Sequence, residues 1–246
     1  VVSRPALTKN QHEPSLFVVP VSGGPPRRVA EAVRILNTPL PSPKLRWSPD
    51  GTRISFVGLS GDKPQLFAVD ASGGDAQILT DAAEGVFNYE WSPDGRSIAY
   101  LTRDAMSPEE QRRRQDQSFV MRVDAPERPT RLALKLFDST ARLLTPPAHY
   151  VESLSWSPDS REIAYTAAPT TGFMAQYMTR IYSVSIDGGN PRTIVDRTGM
   201  NSKPSYSPDG SWIAFISSNG SVSLMSPRGL ALAPARGGST KDIRSF

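Results

Sequence analysis

The sequence predicts an all-β fold of repeated four-stranded sheets, and three observations carry that prediction. A Trp/Tyr-Ser-Pro-Asp segment recurs four times, residues alternating in size follow each copy, and Gly-Gly pairs recur downstream. The copies are Leu45–Phe56, Tyr89–Tyr100, Leu154–Tyr165 and Pro204–Phe215, with their aspartates at Asp50, Asp94, Asp159 and Asp209. Successive aspartates lie 44, 65 and 50 residues apart. One four-stranded blade of a β-propeller takes roughly 40–50 residues, so the long interval marks an insertion.

Each part of the repeat has a physical reading. In Ser-Pro-Asp-Gly the proline presets φ, Ser and Asp offer acceptors to nearby backbone amides, and Gly takes the positive φ that closes the turn. An aromatic residue precedes it: Trp47, Trp91, Trp156 or Tyr206. Ile98-Ala99-Tyr100 and Ile213-Ala214-Phe215 follow it with the period-2 alternation of a strand. The small residue between two large ones (Ser55, Ala99, Ala164, Ala214) suits a sheet closely covered by a neighbouring sheet.

A second hairpin follows, as in Gln65–Leu79 and Arg180–Ile194, and begins again at Gly229–Gly238. Its Gly-Gly pair supplies the positive φ that tight connections demand. Two hairpins make one blade. The second repeat lacks Gly-Gly and is irregular from Ser118 to Thr145. The hairpin Ser15–Val29 precedes the first repeat and reads as the second half of a blade.

The expected domain is therefore one partial propeller over 1–246. It has a half blade at about 15–29, blades at about 45–80, 89–145, 154–195 and 204–246, and a surface insertion at about 103–117. With about four and a half blades, the ring is expected to be incomplete, since propellers limit exposed edges by closing. Uncapped end blades predict self-association. In the insertion, Ser107 reads as an N-cap, Pro108 as the first helical residue and Glu109-Glu110 as first-turn acids. Gln111 to Gln117 would continue a short polar helix on the surface.

Composition narrows the functions. The 246 residues carry a net charge of +4, and the one dense basic run, Arg112-Arg113-Arg114, follows two glutamates. That reads as a solvated helix face, so no nucleic-acid partner is expected. The chain has no cysteine, which excludes disulfides, thiolate catalysis and Cys-based zinc sites. No apolar run of about 18 residues exists, so no membrane span is expected. No signal peptide is visible at Val1, although the start reads as the middle of a domain and a leader upstream fits. The compartment stays open between cytoplasm and periplasm, with a slight preference for the periplasm.

The Trp-Ser-Pro-Asp-Gly repeat followed by Ile-Ala-Phe/Tyr resembles the propellers of two groups, TolB-like periplasmic proteins and the prolyl oligopeptidase family of serine peptidases. Three stretches are similar to the peptidase group, in particular dipeptidyl and acylaminoacyl peptidases: Ser107–Arg114, Gly199–Gly220 and Met225–Gly238. The resemblance covers roughly Leu16 to Gly238. It implies a non-catalytic propeller that gates and helps bind peptide substrates for a C-terminal α/β-hydrolase domain absent from this chain. The TolB-like alternative implies a protein-binding module without enzyme activity.

No catalytic, cofactor or metal residue is assigned. The Gly-x-Ser-x-Gly elbow of such hydrolases does not occur. The two histidines, His12 and His149, lie in Pro-flanked loops without a Ser-Asp partnership. The glutamates with which dipeptidyl peptidases hold a substrate amino terminus are not matched by the residues flanking Glu109-Glu110. Each turn aspartate stands alone, whereas calcium needs several oxygens at short spacing. The Gly-Gly pairs join strand to strand and do not form a phosphate loop.

Overall fold

The computed structural model of the chain describes residues 1–6, 11–36, 45–116, 128–223 and 225–244. Five antiparallel sheets follow one another along the sequence. Sheet I holds β1 (Val2–Ala6), β2 (Gln11–Val18) and β3 (Arg27–Val29). Sheet II holds β4 (Arg34–Ile35), β5 (Arg46–Trp47), β6 (Arg53–Ser60), β7 (Lys63–Asp70) and β8 (Gln77–Ile78). Sheet III holds β9 (Asn88–Trp91), β10 (Ser97–Arg103), β11 (Thr130–Leu136) and β12 (Arg142–Leu143). Sheet IV holds β13 (Tyr150–Trp156), β14 (Glu162–Ala168), β15 (Arg180–Ser185) and β16 (Arg192–Val195). Sheet V holds β17 (Asn201–Tyr206), β18 (Trp212–Ser217), β19 (Gly229–Pro234) and β20 (Lys241–Arg244).

The recurring turn joins the first two strands of sheets II to V, and its hydrogen bonds repeat. Asp50 Oδ1 accepts from Thr52 N at 3.0 Å and from Ser48 Oγ at 2.5 Å, while Ser48 Oγ accepts from Arg53 N at 2.9 Å. Asp94, Asp159 and Asp209 accept from Ser92, Ser157 and Ser207 and from the amides of Arg96, Arg161 and Ser211 in the same way. The fourth turn position has φ of 69°, 70° and 71° at Gly51, Gly95 and Gly210. In the third copy Ser160 holds φ 60°, a costly conformation for a residue with a side chain. Its hydroxyl accepts from Asp94 N at 3.1 Å, which clips the turns of sheets III and IV together.

The alternation after the turn divides the core between neighbours. Ile98 and Tyr100 pack back onto sheet II, whereas Ala99 faces forward to sheet IV. Ile163 and Tyr165 face sheet III, whereas Ala164 faces sheet V. In these triplets the large side chains point to the preceding sheet and the alanine to the next, where Leu101, Leu132 and Leu134 of sheet III also pack on sheet IV. Ile98, Ile163, Tyr165 and Ile213 are fully buried, each contributing roughly 1.5–3 kcal/mol for an aliphatic side chain taken out of water.

An arginine staple adds to this stacking. Arg27 on β3 donates to the Ala71 carbonyl, Arg142 on β12 to the Ile186 and Asp187 carbonyls, and Arg192 on β16 to the Ala235 carbonyl at 2.9 Å. Each reaches from a fourth-strand position to the third hairpin turn of the following sheet.

Two elements differ from expectation. The hairpin expected to stand alone carries a third strand, because β1 pairs with β2 from Val2 to Ala6. Pro5 in that short segment masks the strand signal, and proline is tolerated at such an edge. In sheet II, β4 and β5 both pair with β6, Ile35 opposite Gly58 and Arg46 opposite Ser55. Both lie along the same edge of β6, so this sheet reaches back to Arg34. The insertion forms α1 (Pro108–Gln115) with a capping box between Ser107 and Glu110 and no buried residue. Gln117, the irregular stretch 118–127 and residues 245–246 lie outside the described residues.

Candidate functional site

The first strands of sheets II to V form a contiguous row. Arg46 on β5 pairs with Glu90 on β9 at 3.0 Å, and Trp156 Nε1 on β13 donates to the Glu90 carbonyl at 3.1 Å. On β17 the amides of Lys203 and Tyr206 donate to Ser153 and Ser155 Oγ of β13 at 3.3 and 3.4 Å. These contacts place the first strands side by side, so the sheets fan outward from a polar inner row. The row is irregular where it is most polar. The pairing registers shift between Val151 and Ser153, flanking Glu152, and between Ser202 and Ser205, flanking Lys203, which holds φ 55°.

The meander order places every second-to-third strand connection at the end of the sheets opposite the Ser-Pro-Asp turns. Three of these connections are long: 104–129 with α1, 169–179 with a 3-10 helix (Phe173–Met178), and 218–228. This end exposes Phe87, Phe173 (62%), Met174 and Met178. A cavity of about 350 Å³ opens here between Arg103, Arg128, Tyr150, Glu152, Phe173 and Gln176. Desolvation pushes the Glu152 carboxyl above its usual range. Arg128 pairs with Glu84 at 3.0 Å and Glu110 at 3.4 Å, and the Arg103 guanidinium lies 5.1 Å over the Phe87 ring.

At the turn end a larger cavity of about 650 Å³ separates sheets IV and V. Its walls include Arg161, Glu162 and Arg192 of sheet IV, and Tyr206, Asp209 and Arg236 of sheet V. Glu162 Oε2 accepts from Ser183 Oγ at 2.7 Å and from Arg192 Nη2 at 2.9 Å. Because the Ser183 proton goes to Glu162, the Tyr206 phenol donates to Ser183 Oγ at 3.2 Å.

The residues weighed from sequence fall as follows. His149 lies in the loop before β13, as expected, and its ring packs tilted against Tyr182 with centroids 4.3 Å apart, while Nδ1 lies 2.8 Å from Tyr165 Oη. Burial, then the Arg131 charge, lowers its pKa. His12 lies on β2 by its backbone, and its side chain is outside the described residues. Glu109 and Glu110 pair with Arg113 and Arg128. The turn aspartates bond within their own turns, and hydrogen bonds from Ser207 and Ser211 hold Asp209 at about 2. Among the described residues, no three His, Cys, Asp or Glu gather in a way that would hold a metal ion. No helix among them is long and apolar enough to cross a membrane. Sequence reasoning missed both cavities. The one signal for the larger was the tyrosine standing where three other repeats carry tryptophan.

Fan-like stacking of four-stranded antiparallel meanders defines the propeller class. No protein-family model matches the chain. Its curated relatives include peptidases and TolB proteins. The Bacillus subtilis peptidase YuxL, itself uncharacterized, is 27% identical over 173 residues, 69% of this chain and 21% of that protein. Dipeptidyl-peptidase 5 of Porphyromonas endodontalis is 24% identical over 246 aligned residues, 88% of this chain and 34% of that protein. TolB of Bordetella pertussis is 27% identical over 167 residues, 68% of this chain and 32% of that protein. The chain thus spans between about a fifth and about a third of each of these relatives.

Solved structures of both groups share the fold. Pyrococcus horikoshii acylaminoacyl peptidase superposes with a TM-score of 0.69 at 16% identity, covering 98% of this chain and 36% of that one. TolB from Acinetobacter baumannii gives 0.55 at 17%, covering 94% and 49%. At such identities the likeness establishes the fold.

Proposed function

We propose that this chain is the non-catalytic propeller portion of a dipeptidyl- or acylaminoacyl-peptidase-like serine peptidase, gating and helping to bind peptides for a hydrolase domain outside this sequence. The observation that carries the reading is the match to dipeptidyl-peptidase 5 over 88% of this chain but only 34% of that protein. In this reading the five sheets are part of a larger ring. The end bearing Phe87, Phe173, Met174 and the cavity around Glu152 faces the hydrolase domain and the incoming peptide. Apolar side chains there supply contact area, and the ring excludes folded proteins by size. Acyl transfer belongs to the serine of the hydrolase domain, and no residue of this chain is given a catalytic, cofactor or metal role.

Labelling of the full-length protein by a fluorophosphonate serine-hydrolase probe tests this directly. Labelling outside residues 1–246, together with hydrolysis of an aminoacyl or acyl-peptide substrate, is the expected result. Hydrolysis that survives in purified 1–246 would refute it.

The TolB likeness favours a second reading, a protein-binding propeller without an enzyme. A full-length protein that takes no probe but captures a protein partner would select it.

A further inference from the structure

Two of the three guanidiniums in the larger cavity have unused hydrogen-bonding capacity. All three carboxylates there are already engaged: Asp159 and Asp209 by their own turns, Glu162 by Ser183 and Arg192. Arg192 is spent as well, on Glu162 and the Ala235 carbonyl. Arg161 and Arg236 line the same cavity, and neither side chain meets an acceptor among the described residues. Each guanidinium carries five N–H donors in a planar fork matched to carboxylate or phosphate oxygens. The surplus is therefore of donors.

The cavity departs from the repeat. At the position of Arg236 the other Gly-Gly hairpins carry Ser22, Ser72 and Asp187. At the position of Tyr206 the other repeats carry Trp47, Trp91 and Trp156. Trp156 is buried between sheets III and IV, whereas Tyr206, packed against the core of sheets IV and V and bonded to Ser183, borders about 650 Å³ of open space. An extra arginine and a smaller ring thus occur in the same groove, and the Arg236 side chain makes no hydrogen bond or ion pair there among the described residues.

We propose that the groove between sheets IV and V is a binding site for a small oxyanion, a carboxylate or a phosphate, held in the fork of Arg161 and Arg236 beneath Tyr206. Its position at the turn end places it away from the cavity around Glu152. The site is independent of the peptidase reading and stands or falls without it.

The test is a titration of the full chain, at low ionic strength, followed by amide chemical shifts. Inorganic phosphate is one probe. Triglycine, with triglycine amide as its uncharged match, is the other. Saturable shifts at Arg161, Glu162, Gly210 and Gly237 are expected with phosphate or with triglycine but not its amide, and the probe that binds tells which oxyanion the site takes. The double variant Arg161→Gln/Arg236→Gln weakens that binding at least tenfold. Tyr206→Trp, which leaves both guanidiniums in place and enlarges the ring at the cavity wall, also weakens it at least tenfold. Arg228→Gln, a cation outside the cavity, leaves it within twofold.

Absence of saturation by either probe overturns the proposal, as does equal binding of the triglycine amide. A loss with Arg228→Gln equal to that of the double variant would show mere charge attraction and also overturns it. Each variant is compared at matched folded fraction, judged from the dispersion of its amide spectrum. A Tyr206→Trp protein that is folded yet binds like the parent removes the cavity from the argument.

Discussion

Replacing Trp156 with Ala removes an indole that is only 6% exposed and fills the space between sheets III and IV. It also strips the Glu90 carbonyl of the Nε1–H donor 3.1 Å away. Truncating a buried tryptophan costs about 3–5 kcal/mol, through lost transfer energy and an unfilled cavity. Trp47 occupies the same place in the first repeat but is 55% exposed, and its indole makes no hydrogen bond among the described residues. Burying the remaining half of such a ring, about 100 Å² at roughly 25 cal/mol per Å², amounts to about 2.5 kcal/mol at most, with little cavity left behind. Urea unfolding of both variants, with the slope m compared to the parent, measures the contrast. Trp156→Ala is expected to lose about 2 kcal/mol more than Trp47→Ala, or roughly 4–8 °C in Tm for a chain of this size. An equal loss, or a larger one at Trp47, would refute the view that the repeat's aromatic acts by wedging into the preceding sheet.

Three further outcomes are expected. At Gly199, with φ 91°, an added Cβ would sit 2.5 Å from Ser218 Oγ and 2.8 Å from the Ser221 carbonyl, whereas at Gly220, with φ 82°, it would meet open space. Gly220→Ala therefore costs about 1 kcal/mol of backbone strain, and Gly199→Ala clearly more, read as a larger fall in Tm. His149 is held below its ordinary pKa in the folded chain, so the unfolded chain binds its proton more readily. Its contribution to stability is complete above the unfolded pKa of about 6.5 and is lost as pH falls through that value to the folded one. The fall in Tm between pH 7.5 and 5 should be smaller in His149→Phe than in the parent, and an unchanged fall would count against the assignment. Glu110→Ala breaks the capping box of α1, worth about 1 kcal/mol locally. Because α1 buries nothing, amide exchange should quicken over 108–115 with no measurable change in global Tm.

The local parts of this fold were legible in the sequence. Ser48-Pro49-Asp50-Gly51 encodes a turn whose bonds span five residues or fewer, so its wiring follows from residue types alone. The capping of α1 by Ser107 and Glu110 was legible for the same reason. Long-range partnerships were not. The acceptor of Arg142 is a pair of backbone carbonyls some 45 residues away, and any residue type could supply them. His149 is a loop histidine as the sequence reads, but its ring partner Tyr182 comes from another strand and could not be read there. The exposure of Trp47 beside the burial of Trp156 is likewise a property of neighbours. The larger cavity left a trace at Tyr206 and Arg236, yet only three-dimensional packing shows that these departures meet.

In sheet III, Ile98 and Tyr100 pack backward on sheet II while Leu101, Leu132 and Leu134 pack forward on sheet IV, so the sheet has a front and a back. The interface is heterologous, head to tail: the front of one sheet meets the back of the next. Growth by duplication of a single unit is then self-consistent, since every new copy arrives with the knobs its predecessor's recesses accept. The same directionality localises damage: a substitution disturbs its own unit and the adjoining one, and its energetic effect fades along the series as in a one-dimensional chain of coupled elements.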